Sequence, residues 1–170
     1  MVSQPHSHKK FLFAASTLWV MFLALAPIAN SQDRGRNQER NTRTALARAS
    51  AEWDARFNAA DTVGLLALYA PDVVSMPYDA PASRGHAAVR ADFISFFSGN
   101  VQQRHETHVE DIVISGDLAI ERGSYTLRYT PRNGGGEVVE TGKHLECRRR
   151  IKGRWLIIYE IWNRDHVPGS

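Results

Sequence analysis

Glu160 is the residue in this chain with the clearest means of moving a proton. In the run Trp155-Leu-Ile-Ile-Tyr-Glu-Ile-Trp162, an extended backbone puts alternate side chains on opposite faces, so Glu160 shares a face with Ile158 and Trp162. A carboxyl group turned inward among apolar side chains has a raised pKa and can act as a general acid or base near neutrality. Arg122, Lys143 and Tyr78 are its candidate partners. The structural alternative is a buried ion pair of Glu160 with Arg122 or Lys143 that only holds the sheet together.

The other reactive side chains offer less. Cys147 is the single cysteine, which excludes an intramolecular disulfide, and its alternating neighbours read as a buried thiol without a positioned histidine. His105 and His108 differ by an odd number of residues on an expected strand, so they project to opposite faces and make a poor metal pair. His86 falls at a helix start, and His144 and His166 are expected on the surface. Gly134-Gly-Gly lacks the strand, loop and helix context of a phosphate cradle and reads as a hairpin loop. No metal and no cofactor is expected.

The elements that position these residues follow from periodicity. From Thr42, Leu46, Ala49, Trp53 and Phe57 recur at helical spacing, with Arg48, Glu52, Asp54 and Arg56 off the stripe. Asp61 is an N-cap for a short helix carrying Leu65, Leu66, Leu68 and Tyr69, which Pro71 should end at Ala70. Val73, Val74 and Met76 then run extended. After a loop over Asp79 to Gly85, a third helix should start near His86 with Val89, Phe93, Phe96 and Phe97 on its apolar face and stop at Ser98-Gly-Asn100. Strands are expected over His108 to Ile114, Leu118 to Tyr129, Val138 to Ile151 and Arg154 to Trp162. Three helices followed by a mostly antiparallel sheet is the α+β pattern, with the helices packed on one face.

Parity assigns the faces. In Val138 to Ile151, Leu145, Cys147 and Ile151 make the better inner face, leaving His144, Glu146, Arg148 and Arg150 outside. The last strand is apolar on both sides, so both sides should be covered. Three helices cover one, and a second copy of the chain is the expected cover for the other: a homodimer through the outer sheet face.

Length and charge set the frame. Lys9 and Lys10 precede an apolar run from Phe11 to Ile28, and Ala29-Asn-Ser31 supplies small residues at the −3 and −1 positions of a cleavage site. Residues 1–31 therefore read as an export signal, giving a secreted or periplasmic protein with no membrane attachment after cleavage; a retained anchor is the alternative, against which Ser16, Thr17 and Pro27 interrupt the run. Removing two lysines and no acids takes the net charge from +3 to +1, so basicity does not argue for nucleic acid. The polar stretch 32–41 has no apolar periodicity and reads as a flexible linker to a single domain over 42–166.

The order and spacing of Asn58-Ala-Ala-Asp, Leu68-Tyr-Ala-Pro-Asp, Met76-Pro, Gly85-His-Ala-Ala-Val-Arg, Ser115-Gly-Asp-Leu-Ala, Gly153-Arg-Trp and Ile161-Trp-Asn163 resemble the NTF2-like superfamily, and within it the SnoaL-like and DUF4440 proteins, with ketosteroid isomerases more distant. The resemblance implies a cone-shaped roll around an internal pocket and a dimer. Reading without gaps from Asp61, Pro77 stands where the isomerases carry their proton-abstracting aspartate. Trp53 stands at their oxyanion-holding tyrosine and Leu145 at their second aspartate. The isomerase machinery is therefore missing as such. The implied pocket would be lined by Trp53, Phe57, Tyr69, Met76, Phe93, Leu145, Ile158 and Trp162, with Arg122 and Lys143 near Glu160.

Three readings of function remain open. In the first, the domain binds a small, mostly apolar molecule. In the second, Glu160 moves a proton on a bound substrate that Trp53 or Tyr78 orients. In the third, the chain is a dimeric association module whose interior is filled.

Overall fold

A computed structural model describes residues 26–165. The chain forms α1 (Ala26–Asn58), α2 (Thr62–Leu66), β1 (Tyr69–Met76), β2 (Ser83–Arg84), α3 (Gly85–Gly99), β3 (Asn100–Ser115), β4 (Leu118–Pro131), β5 (Val138–Ile151) and β6 (Arg154–Arg164). The six strands make one sheet in the order β2-β1-β6-β5-β4-β3. Every neighbouring pair is antiparallel except β1 with β6. The fold is α+β, with helices packed on a curved, mostly antiparallel sheet.

Helix α1 reaches further back than the apolar stripe predicts. Residues 32–41, expected as a linker, continue it. Its exposed turns carry charge pairs at helical spacing, Arg36 with Asp33 at 2.6 Å and Arg43 with Glu39 at 3.0 Å, which support a helix without any apolar face. Arg43 also donates to the Ile112 carbonyl at 2.7 Å, tying this part of the helix to β3. Residues 1–25 of the export signal read over 1–31 lie outside the described residues. Among the described residues no helix is long and apolar enough to cross a membrane.

Asp61 caps α2, its Oδ1 accepting the Gly64 N–H at 2.8 Å. The helix ends at Leu66, four residues short of the expected stop, because β1 takes up the chain at Tyr69. Pro71 lies inside that strand. The parallel ladder to β6 shifts register between Tyr69 and Val74, where a residue without an N–H can be tolerated. Leu65, Tyr69, Val73, Val89, Phe93 and Ile157 form the core between α2, α3 and the sheet.

The sheet presents its faces opposite to the expectation for β5. Glu140, His144, Glu146 and Arg148 point toward the helices, while Leu145 is 43% exposed on the far side and Cys147 is half-buried there. The register explains the error. Cys147 pairs with Tyr159 and Arg148 with Ile157, so Ile158 is an extra residue, a bulge in β6. Trp155 and Ile157 before the bulge and Glu160 and Trp162 after it consequently share the inner face. The apparent two-sided apolarity of this strand is partly that change of phase.

An apolar outer face nevertheless remains. Val113, Ile120, Cys147 and Tyr159 lie in one cross-strand row, and Leu145 and Ile161 sit in the row beside it. Val113, Ile120, Tyr159 and Ile161 are each more than two-fifths exposed.

Gly142 shows how tightly the inner face is built. A Cβ there would run into the Asn163 carbonyl oxygen and come within 2.6 Å of the Tyr125 ring. Gly142→Ala is therefore expected to lower stability by about 1–3 kcal/mol and to displace Tyr125. Denaturant unfolding checks the first effect; a midpoint matching the unaltered chain would contradict it.

Candidate functional site

The concave face of the sheet and helices α1 and α3 enclose a cavity of about 410 Å³, within the range of small-molecule sites. Of the residues expected to line a pocket, Trp53, Phe57, Tyr69, Phe93 and Trp162 are on its wall, as are Glu160 and, at the mouth, Tyr78. Met76, Leu145, Ile158, Arg122 and Lys143 are not. Met76 and Leu145 pair in register with Ile161 on the outer face, and Ile158 is taken up by the bulge. Arg122 is paired with Glu110, and Lys143 lies 2.6 Å from Asp165, both exposed.

Glu160 is 8% exposed and faces the cavity. The Trp53 indole N–H donates to the Tyr69 hydroxyl at 2.7 Å, and that hydroxyl donates to Glu160 Oε2 at 3.0 Å. Trp53 is thus committed to Tyr69 and is not free to hold a ligand oxygen. Glu160 has neither of the ion-pair partners expected for it. Burial, and next the charge of Glu146, push its pKa up to about 7, with Ser75, Tyr69 and Arg148 opposing. Burial, with the charges of Glu160 and Glu146, holds the Tyr69 hydroxyl well above its usual pKa.

A second proton-handling pair was not legible in the sequence. His105 Nδ1 lies 2.7 Å from Asp54 Oδ1. The backbone N–H and hydroxyl of Thr107 donate to the same carboxylate at 2.8 and 2.9 Å. Asn58, at the end of α1, bonds both the carbonyl and the N–H of His105, at 3.0 and 2.6 Å. The imidazole stacks on Tyr125, with ring centroids 5.5 Å apart and planes 16° apart, and meets Trp53 edge-on at 4.9 Å. A carboxylate on Nδ1 fixes the tautomer that leaves Nε2 as the acceptor, and among the described residues Nε2 has no protein partner.

Beneath these groups lies a buried polar floor. Arg148, fully buried, is paired with Glu146 and donates to Ser50 Oγ at 3.3 Å. The Ser50 hydroxyl donates to Glu121 at 2.8 Å. His144 Nε2 stands 3.7 Å from Glu121 Oε1, an ion-pair separation too long for a hydrogen bond. Burial raises the Glu121 pKa, but His144, Arg148 and Ser50 outweigh it and hold the group below its usual value. Burial lowers the His144 pKa, but Glu121 and Glu146 outweigh it and raise the group. His144 and Arg148, both expected outside, are therefore interior residues.

At the mouth, the Arg164 guanidinium lies 4.4 Å above the Tyr78 ring, and its Nε is 2.6 Å from Glu140 Oε2. This contact is an ion pair whose N–H is not aimed at the oxygen. Glu140 Oε1 accepts from the Tyr125 hydroxyl at 2.7 Å.

Residues 50–156 match the family model of the SnoaL-like domain. A search of curated proteins finds no match. Among solved structures, a ketosteroid isomerase-like protein from Erwinia carotovora atroseptica is 21% identical over 73% of this chain and 96% of its own, with a TM-score of 0.66. A putative scytalone dehydratase from Novosphingobium aromaticivorans is 13% identical over 77% and 89%, with a TM-score of 0.70. A hexachlorocyclohexane dehydrochlorinase is 11% identical over 78% and 93%, with a TM-score of 0.67. At these identities the likeness is one of fold.

The raised pKa of Glu160 has a thermodynamic signature. Its ionised form opposes folding. That opposition is absent below about pH 4.5, grows as the unfolded chain loses the proton that the folded chain keeps, and is complete above about pH 7. Relative to the unaltered chain, Glu160→Gln should therefore gain stability across this window, by up to about 3 kcal/mol. Chemical denaturation at stepped pH measures it, and a difference that does not vary with pH would contradict the assignment.

Proposed function

The chain belongs to the SnoaL-like domain family, and we propose that it binds a small, mostly apolar molecule in the cavity and removes a proton from one of its carbons with His105. The observation that carries this reading is the 2.7 Å contact of His105 Nδ1 with Asp54, a carboxylate itself fixed by Thr107, with the ring on the wall of an aromatic cavity. Nε2 takes the proton, and Asp54 stabilises the imidazolium that forms. Glu160, held by Tyr69, is the acid: it delivers its proton to a departing oxygen, which gives elimination, or to a different carbon, which gives isomerisation. Support also comes from the names of proteins with the same fold, a putative dehydratase, a dehydrochlorinase and an isomerase-like protein, since loss of water or of hydrogen chloride across a carbon–carbon bond takes a proton from carbon. Tyr78 borders the entrance and contacts what enters.

On the same reading the chain is exported through residues 1–31 to the periplasm or the exterior, and it works as a homodimer. Dimerisation draws support from the outer rows of Val113, Ile120, Tyr159, Leu145 and Ile161, an apolar surface that a second copy would cover.

Two measurements test this. In deuterium oxide, the protein should catalyse exchange of acidic C–H protons in at least one member of a panel of cyclic ketones and hydroxyketones. His105→Gln should reduce that rate by about 10²–10⁴-fold, with Asp54→Asn also impaired; an undiminished rate in His105→Gln would rule out its role as base. Sedimentation at micromolar concentration should give a dimer for residues 32–170 and a monomer for Tyr159→Glu. A monomer for the unaltered chain would remove the dimer from the proposal.

A further inference from the structure

The cavity wall is strongly unbalanced in charge. Among the described residues it carries the carboxyl groups of Asp79, Asp92, Glu140, Glu146 and Glu160, with Arg164 as the single lysine or arginine. The charge of Arg164 is already opposed, since Glu140 stands 2.6 Å from its Nε, Tyr78 covers its face at 4.4 Å, and Asp79 stands 3.9 Å from its Nη2. Any positive charge on the two wall histidines is already opposed, by Asp54 at 2.7 Å from His105 Nδ1 and by Glu121 at 3.7 Å from His144 Nε2. An entering anion would therefore meet carboxylates, and each cationic group it could approach among the described residues already faces one.

A cationic ligand fares little better. Glu146 is already paired with Arg148, and Glu140 with Arg164. Glu160 is buried beside the Glu146 charge and keeps its proton up to about neutral pH. Asp79 and Asp92 are exposed at the rim, where an ion pair contributes little. What the wall does offer is ring surface from Trp53, Phe57, Phe93, Phe96, Tyr125 and Tyr129, together with hydrogen-bonding groups at Glu160 and His105.

We infer that the ligand is an uncharged ring compound bearing an oxygen, and that Glu140 is the residue that sets this specificity, because by occupying Arg164 it withholds the cation that an anionic ligand would need. This rests on the proposal that the cavity binds an apolar molecule. It does not depend on His105 being a base.

The test uses three ligands with one ring system, naphthylmethanol, naphthylmethylamine and naphthoate, titrated calorimetrically against residues 32–170 at about pH 6, where the amine and the acid are both charged. Naphthylmethanol should bind at least about tenfold more tightly than either charged ligand. Glu140→Gln should free Arg164 and raise naphthoate affinity, measured relative to the alcohol on the same variant, about tenfold, the size of one charge-assisted hydrogen bond. Adding Arg164→Met should abolish the gain. Naphthoate or the amine binding the unaltered protein as tightly as the alcohol would overturn the inference, as would a folded Glu140→Gln protein without the gain. If Glu140→Gln fails to fold, the ranking in the unaltered protein decides. Binding by none of the three overturns this inference together with the proposed cavity ligand. The expected ranking alongside unimpaired exchange in His105→Gln would remove only the catalytic role.

Discussion

Burying Arg148 is the constraint on which the rest of the interior depends. A guanidinium taken wholly out of water must be compensated by charge and hydrogen bonds, and here the compensation comes from two elements. Glu146 supplies it from the same strand, and Ser50, itself bonded to Glu121, brings α1 against the sheet. Once α1 is fixed in this way, Trp53, Asp54 and Phe57 on its next turns face the inner sheet. Asn58 then closes on the backbone of His105. The floor of the cavity and the placing of His105 are consequences of one buried charge.

Around that floor, most polar groups are already engaged with one another. Trp53 serves Tyr69, Tyr69 serves Glu160, Tyr125 serves Glu140, and Asp54 serves His105. Among the described wall residues, unused capacity is left on Glu160, the Nε2 of His105, the Nε2 of His144 and the Nε of Arg164. Such economy fits a site in which a small number of polar groups orient an otherwise apolar ligand.

The fold was legible because it is written in strong periodic signals. The stripe of Leu46, Trp53 and Phe57 and the Asp61 cap each reports a local preference that the tertiary structure did not override. The family resemblance added the cavity, which no local pattern gives. Face assignment in β5 failed because hydrophobicity was taken to mark the inside, whereas this interior is a polar floor and the outer face is the apolar one. Glu160 does face inward with Trp162, which lies beyond the bulge, whereas Ile158, grouped with them by parity, is the bulge residue itself. The Asp54–His105 pair was missed for a different reason. His105 had been weighed only as a metal ligand, and Asp54 had been set on the wet side of α1, so nothing local joined residues 51 positions apart. The usable signal was that His105 and Thr107 share a parity and that Asp54 adjoins Trp53 of the stripe.

The extra residue at Ile158 divides β6 into two half-strands of opposite phase. The inward aim of Glu160 and Trp162 is therefore stored as a count of residues rather than as a property of either side chain. In lineages where this strand gains or loses a single residue ahead of Glu160, the acid and the indole would pass together to the outer face, and two of the apolar groups now outside would turn in. A change of chemistry at the cavity and a change in the surface offered to partners would then arrive in one step, from one indel, without any substitution in either place.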